Sequence, residues 1–302
     1  MKGSALSQLG RRTAEPPITW LMREALMRPG LISLAAGFTD NPSLPVAETR
    51  EIMKTMLRGN AGQPPLQYGT TVGDEKLRTL TARHLAKLDG QSVKAKAYQP
   101  NRMMITHGSQ QLLYILTEIL FDPGDIVLVE DPSYFVYLGI MQSHGIRGRG
   151  IRLESDGINL VHLKETLESL KTSGELPRLK ALYLVSYHSN PTGITTAATK
   201  KAAALKLLRS YEKAAGHRIY LIEDAAYREL RFAGKDTVSS LTMDRAANRV
   251  IYTSTYSKPF ATGIRIGYGL LPGPLLTAAL RVKGNHDFGT TNLLQQLITR
   301  AI

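Results

Sequence analysis

The residue types best able to do covalent chemistry stand together in one stretch, Thr253-Ser254-Thr255-Tyr256-Ser257-Lys258, followed seven positions later by Arg265. A lysine amine attacks carbonyl carbon and forms a Schiff base with an aldehyde. Hydroxyls such as Thr255 and Ser257 suit phosphate oxygens, and a guanidinium at Arg265 can grip those oxygens through two parallel hydrogen bonds. The set fits an aldehyde that also carries a phosphate. Taken alone it fits a surface turn as well, because lysine among small hydroxyl residues is common there. The choice rests on the residues upstream.

An aldehyde cofactor bearing a phosphate is pyridoxal phosphate, and four upstream sites supply what it needs. His107-Gly108-Ser109-Gln110-Gln111 follows a predicted strand and opens a helix. Glycine permits close approach, and a helix N-terminus offers free N–H groups to a phosphate; Ser109 could equally be an ordinary N-cap. Glu130-Asp131-Pro132-Ser133-Tyr134 follows the next strand, and Tyr134 can stack on a flat ring or pack in the core. Ser189-Asn190-Pro191-Thr192-Gly193 is a tight turn whose asparagine can donate to a phenolate oxygen. Glu223-Asp224-Ala225-Ala226-Tyr227 follows another strand. A carboxylate at Asp224 near a pyridine nitrogen keeps that nitrogen protonated and makes the ring an electron sink. Tyr227 would face the same way and reach the ring oxygen, while helix capping is the plain alternative for Asp224.

The elements that must position these groups are short apolar strands alternating with helices from Arg102 onward. Strands are predicted at 103–106, 126–130, 145–153, 181–185, 218–222, 250–253 and 266–271. Helices are predicted at 110–120, 133–142, 160–171, 199–214 and 225–229. That alternation implies a mainly parallel sheet covered on both faces, in which ligands sit beyond the carboxyl ends of the strands. Asn190 to Asp224 and Asp224 to Lys258 each span 34 positions, enough for one helix and one or two strands, so the groups can converge on one crevice. Before this region, helices are predicted over 18–27, from Pro45 to about Arg58, and from Gly73-Asp74; 31–37 is a short apolar run, and 63–69 is a loop in which Tyr68 can point outward. After it, 275–282 and 292–302 are helical by periodicity. Leu293, Leu294, Leu297 and Ile298 form an apolar stripe with no partner in sight, which reads as a chain that is cut.

Composition narrows the class. Hydrophobic content of 43% and charged content of 21% are ordinary for a globular chain of 302 residues. No apolar run approaches a membrane span, and the first thirty residues lack a secretory pattern. The absence of cysteine excludes disulfides and cysteine-ligated metals, leaving a cytoplasmic location as the default. The net charge of +13 is scattered. Its densest cluster, Arg147-Gly148-Arg149-Gly150-Ile151-Arg152, lies where a strand begins, so a basic site for anionic ligands is favoured over nucleic acid.

In the order and spacing of Gly108-Ser109-Gln110-Gln111, Asp131-Pro132-Ser133-Tyr134, Asn190-Pro191-Thr192-Gly193, Asp224-Ala225-Ala226-Tyr227 and Ser257-Lys258 with Arg265, the chain resembles the class I/II aminotransferases among the fold-type-I pyridoxal-phosphate enzymes. The likeness is strongest to the branch with 2-aminoadipate and kynurenine aminotransferases, and it covers the sequence from about Leu31. It implies an α/β fold: a three-layer αβα sandwich with a mainly parallel sheet plus an incomplete small domain. The implied division is an N-terminal arm with part of the small domain over 1–44, a large cofactor-binding domain over 45–274, and the start of a connecting helix and C-terminal small domain over 275–302.

The same resemblance implies that Lys258 carries the cofactor as a Schiff base and then moves the proton. Asp224 pairs with the ring nitrogen, and Tyr227 and Asn190 with the ring oxygen. Gly108, Ser109, Gln110, Thr255, Ser257 and Arg265 hold the phosphate, and Tyr134 stacks. Gly37 and Asn190 stand on the substrate side. A homodimer with shared sites follows, in which Tyr68 of Leu66-Gln67-Tyr68-Gly69 reaches the other subunit's cofactor. The expected activity is transfer of an amino group from an amino acid to a 2-oxo acid by a ping-pong cycle. Another reaction on the same scaffold, a β-lyase or decarboxylase, is the alternative, as is a shortened chain that binds cofactor without turnover. The family's pattern runs on past the counterpart of Ile302 and there carries the arginine that grips the substrate carboxylate; no arginine in 266–302 matches it. A regulatory module is disfavoured, since no helix-turn-helix precedes residue 31.

Overall fold

A computed structural model describes residues 5–32, 37 and 39–302. Its frame is one sheet of eight strands: β1 (Met103–Thr106), β2 (Ile126–Asp131), β3 (Arg147–Glu154), β4 (Gly157–Ile158), β5 (Leu179–Val185), β6 (Tyr220–Asp224), β7 (Val250–Thr255) and β8 (Gly267–Leu270). They lie in the order β1-β8-β7-β6-β5-β2-β3-β4. Neighbouring pairs from β7 through β6, β5 and β2 to β3 are parallel. Strand β8 runs antiparallel between β1 and β7, and the short β4 runs antiparallel on β3.

The helices are α1 (Gln8–Arg12), α2 (Pro17–Met27), α3 (Val46–Met56), α4 (Gln63–Leu66), α5 (Glu75–Leu88), α6 (Gly108–Leu120), α7 (Phe135–His144), α8 (Leu160–Thr172), α9 (Ala198–Ala215), α10 (Gly273–His286) and α11 (Asn292–Ala301). Alternation along β5 shows how they layer. Ala181, Tyr183 and Val185 face a core shared with α6, α7 and α10, whereas Leu182 and Leu184 face a core shared with α5, α8, α9 and α11. Side chains on a strand point alternately to its two faces, so a strand apolar throughout 181–185 must be covered twice. The result is the expected αβα sandwich.

Local signals account for several boundaries. Asp74 caps α5, its carboxylate accepting the Leu77 N–H at 2.7 Å. Helices α7 and α9 end on Gly145 and Gly216 in the left-handed region, at φ 71° and 79°, where glycine carries no Cβ penalty.

Four expectations need correction. Residues 225–229 form turns rather than a helix: Arg228 N–H bonds to Ala225 O and Leu230 N–H to Tyr227 O, both three residues back. The Arg228 guanidinium is drawn into a buried pair with Asp89 at 2.6 Å. The loop at 63–69 begins with one helical turn, α4, because Pro64 and Pro65 suit the first helical positions. The strand bearing the arginine cluster runs over Arg147–Glu154 rather than 145–153. The stripe on α11 does have partners: Leu297 and Ile298 are buried, Leu293 and Leu294 pack against them, and α11 lies on α3 and α5.

Candidate active site

Every parallel strand of the sheet ends on the same edge. Strand β1 joins them there, since it is antiparallel to β8, which is antiparallel to β7. The turns that leave β1, β2, β5, β6 and β7 carry the five motifs, and β8 begins on that edge just after Arg265. One cleft opens there, lined by Ser109, Gln110, Tyr134, Val185, Asp224, Ala226, Tyr227, Thr255, Ser257, Lys258 and Arg265. Nine of the residues singled out in the sequence are thus brought together. Gly108 and Asn190 border them: Gly108 underlies Arg265, and the Asn190 amide donates to the Tyr227 hydroxyl at 3.4 Å.

At one end of the cleft, Asp224 closes β6 and is almost fully buried. Its two oxygens accept from the Tyr183 hydroxyl at 2.9 Å and the Ala226 N–H at 3.1 Å. Among the described residues no lysine or arginine forms an ion pair with it. Burial therefore pushes its carboxyl up to about 6, against the pull of those two hydrogen bonds and of Lys258. A buried carboxylate with spare acceptor capacity and no cation is costly unless a cationic N–H donor enters the cleft.

At the other end, α6 begins with Gly108 at φ 70°. A Cβ there would lie 2.5 Å from Arg265 Nη2, so only glycine lets the guanidinium lie over the first turn of the helix. Gly267 does the same from the sheet side, since its Cβ would come within 2.5 Å of Ser109 N. Arg265 itself sits at φ 50°, an uncommon and strained conformation for a residue with a side chain. Its Nη1 donates to Ser257 Oγ at 3.0 Å. Free N–H groups, a hydroxyl and a guanidinium converge here into a seat for a phosphate dianion. The Thr255 hydroxyl is spent internally, donating to Ile266 O at 2.9 Å and accepting the Ser257 N–H at 3.1 Å.

Lys258 lies between the two ends, its Nζ 5.3 Å from the centre of the Tyr227 ring. Burial first, then the Arg265 charge, hold its amine below the ordinary lysine range, with Asp224 opposing. A larger neutral fraction makes it a better nucleophile and base. Tyr134 is partly buried at the start of α7, and burial raises its hydroxyl well above the usual value, keeping it a neutral ring.

Two sequence candidates lie elsewhere. Tyr68 is 84% exposed and meets Phe288 edge-on, with ring centres 5.5 Å apart. Gly37 is exposed, and no described residue lies within 4 Å of where a Cβ would stand; residues 33–36 of its apolar run lie outside the described residues. Three neighbours of the site escaped the sequence reading. Val185 and Ala226 are small apolar wall residues, and Tyr183, the donor to Asp224, reads as core from its place in an apolar strand. The one usable signal was its polar tip in an otherwise aliphatic run, since buried tyrosines seek a partner.

Comparison with known proteins agrees with this geometry. Residues 29–302 match the model of the family described as aminotransferase class I and II. The aromatic-amino-acid aminotransferase 1 of Thermococcus litoralis is 32% identical over 268 residues, which cover 89% of this chain and 60% of that protein. The 2-aminoadipate transaminase of Thermus thermophilus is 29% identical over 273 residues, covering 90% and 62%. The crystal structure of Pyrococcus horikoshii kynurenine aminotransferase superposes with a TM-score of 0.87 at 29% identity, covering 99% of this chain and 70% of that one. The chain thus spans under two thirds of the length of these two curated relatives, and its sandwich is the fold-type-I fold of its structural neighbours. With its motifs on one sheet edge and its family model matched from residue 29 onward, the chain belongs to the class I and II aminotransferases.

Proposed function

We propose that this chain carries the chemistry of a pyridoxal-phosphate-dependent aminotransferase, moving an amino group from an amino acid to a 2-oxo acid in a ping-pong cycle. The observation that carries the proposal is the cleft itself: one amine, one buried carboxylate without a cation, and one guanidinium over a helix N-terminus. These residues fit pyridoxal phosphate. Asp224 would take the ring N–H, Tyr227 and Asn190 the ring oxygen, and Tyr134 would stack on the ring. Gly108, Ser109, Gln110, Ser257 and Arg265 would hold the phosphate, with Thr255 fixing the Ser257 backbone. Lys258 would form the covalent link.

When bound, the pyridine ring supplies an electron sink for the pair released at the substrate Cα. The protein does the rest. Asp224 stays anionic when a pyridinium N–H faces it. Lys258, with its amine partly neutral, would take the proton from the substrate Cα and hold it on Nζ for return later in the cycle. Amino-group transfer fits this family membership better than a β-lyase or decarboxylase reaction on the same residues. The reading extends to a homodimer in which Tyr68, exposed and outside the lining of its own cleft, serves the partner's site, to Gly37 and Asn190 on the substrate side, to a cytoplasmic location, and to the division at 44/45 and 274/275.

The test is a visible absorption spectrum with added pyridoxal phosphate, before and after excess glutamate. A band that Lys258→Ala abolishes and that glutamate bleaches supports transamination by this chain. A band that ignores a panel of amino acids limits the chain to cofactor binding. No band at all overturns the proposal.

A further inference from the structure

Of the Gly108-Ser109-Gln110-Gln111 motif, Ser109 and Gln110 line the cleft and Gly108 underlies Arg265, whereas the Gln111 side chain bonds elsewhere. Its Oε1 accepts the N–H of His107, four residues earlier, at 2.9 Å, which fixes the residue leading into the left-handed Gly108. Its Nε2 donates to Asp287 Oδ2 at 2.7 Å, 176 positions away, and lies 3.1 Å from His286 Nδ1. Asp287 in turn takes both of its oxygens to the Lys283 ammonium, at 2.7 and 2.6 Å, and the His107 ring stands 3.6 Å from the same carboxylate. Lys283 is fully buried, on α10, which packs against α6.

The arrangement is a closed brace. Each end of the Gln111 amide has a charged or backbone partner, and the carboxylate at its far end is anchored by a buried cation. Burial would raise the Asp287 carboxyl, but hydrogen bonds from Gln111 and Lys283 outweigh it and hold the group below its ordinary range. Burial and the Lys283 charge hold the His107 ring below its own. The brace therefore presents a neutralised ion pair and a neutral imidazole behind the helix terminus, and adds no free charge of its own.

We infer that Gln111, anchored through Asp287 and Lys283, is a positioning residue that sets the first turn of α6 for the phosphate group. The inference rests on the reading of the cleft as a pyridoxal-phosphate site. Its distinguishing consequence is selectivity, because a brace on the phosphate seat acts on the phosphate and not on the ring or the aldehyde.

The experiment measures affinities of the 302-residue chain for pyridoxal phosphate and for pyridoxal, by absorption titration, with inorganic phosphate as competitor. Gln111→Met removes the hydrogen bonds to His107, Asp287 and His286 at similar volume while leaving every charge in place. It should weaken pyridoxal phosphate about tenfold, and inorganic phosphate with it, while the affinity for pyridoxal moves less than about twofold. Gln111→Glu keeps an acceptor for His107 but sets a like charge against Asp287; it should show the same phosphate-selective loss and decides the matter if the methionine variant does not fold. Equal weakening of both ligands, or no weakening in a folded variant, overturns the brace. Failure of the wild-type chain to bind pyridoxal phosphate would instead overturn the cofactor reading beneath it.

Discussion

The two ends of the cleft hold opposite charges by opposite means. The anionic end is a single carboxylate at the last position of a central strand, buried, with tyrosine and backbone donors below it. The cationic end is an exposed guanidinium on strained backbone, laid over a helix terminus and tied down by a serine. Burial makes one charge expensive until a cation meets it. Exposure leaves the other strong only while its geometry is held. The ring end should thus respond to protonation and chemistry, the phosphate end to geometry and salt.

The largest expected effect falls between the two ends. Lys258→Ala removes the only amine among the described residues that line the cleft and should abolish the Lys258-dependent absorption band, with loss of half-reaction rate of about a thousandfold or more. Both ends remain, so pyridoxal phosphate should still bind without covalent linkage. An unchanged band would remove Lys258 from the chemistry.

Next comes the ring end. Asp224→Asn keeps the size and one acceptor oxygen but not the charge. It should slow the half-reaction with glutamate about a hundredfold, the scale of losing one charge-assisted hydrogen bond of about 3 kcal/mol at the reacting group. Retained rate with weakened phosphate binding would invert the comparison.

That this much could be anticipated follows from how the fold is encoded. The motifs lie at strand ends, where a polar residue after an apolar run marks a turn on the ligand-bearing edge; Asp224, Asn190 and Ser257-Lys258 were legible for that reason. Contacts set by topology were not. The hydroxyl of Tyr183 reaches Asp224 only because β5 and β6 pair with Val185 opposite Asp224. Gln111 meets Asp287 only because α10 packs on α6. The α11 stripe looked unpartnered for the same reason: α3 and α5, which cover it, stand more than 200 positions away. Spacing along the chain carries no record of such meetings. The turn at 225–229 failed differently, through an arginine drawn into a buried ion pair that local propensity does not weigh.

A smaller effect tests whether burial is what sets the ring end apart. In the cofactor-free chain the Asp224 carboxyl is raised from its ordinary 3.8 to about 6. A group whose folded value is raised is most compatible with folding while protonated. Its favourable contribution is complete below about 4 and lost as pH climbs through about 6, a total of about 3 kcal/mol. Glu130, raised by burial to about 8, destabilises in the same direction over a wider window, so the comparison must be internal. The stability of Asp224→Asn relative to wild type, from urea unfolding of the free chain, should improve by about 1 kcal/mol between pH 5 and pH 7. A difference independent of pH would mean that Asp224 is solvated after all, and the two ends less unlike than their surroundings imply.

An effect of similar size belongs to the phosphate end. Arg265→Lys keeps the charge and loses the planar fork, so pyridoxal phosphate should bind about tenfold more weakly, with the band position and the glutamate half-reaction of the loaded chain little changed. Salt then separates the ends. Raising ionic strength screens exposed charges far more than buried ones, so affinity should fall with salt in wild type and variant alike, while the rate deficit of Asp224→Asn should stay constant across the same range. If salt instead eroded that deficit, the carboxylate would be sharing its field with solvent, and burial could no longer be the reason for holding one charge inside the sheet and the other on its rim.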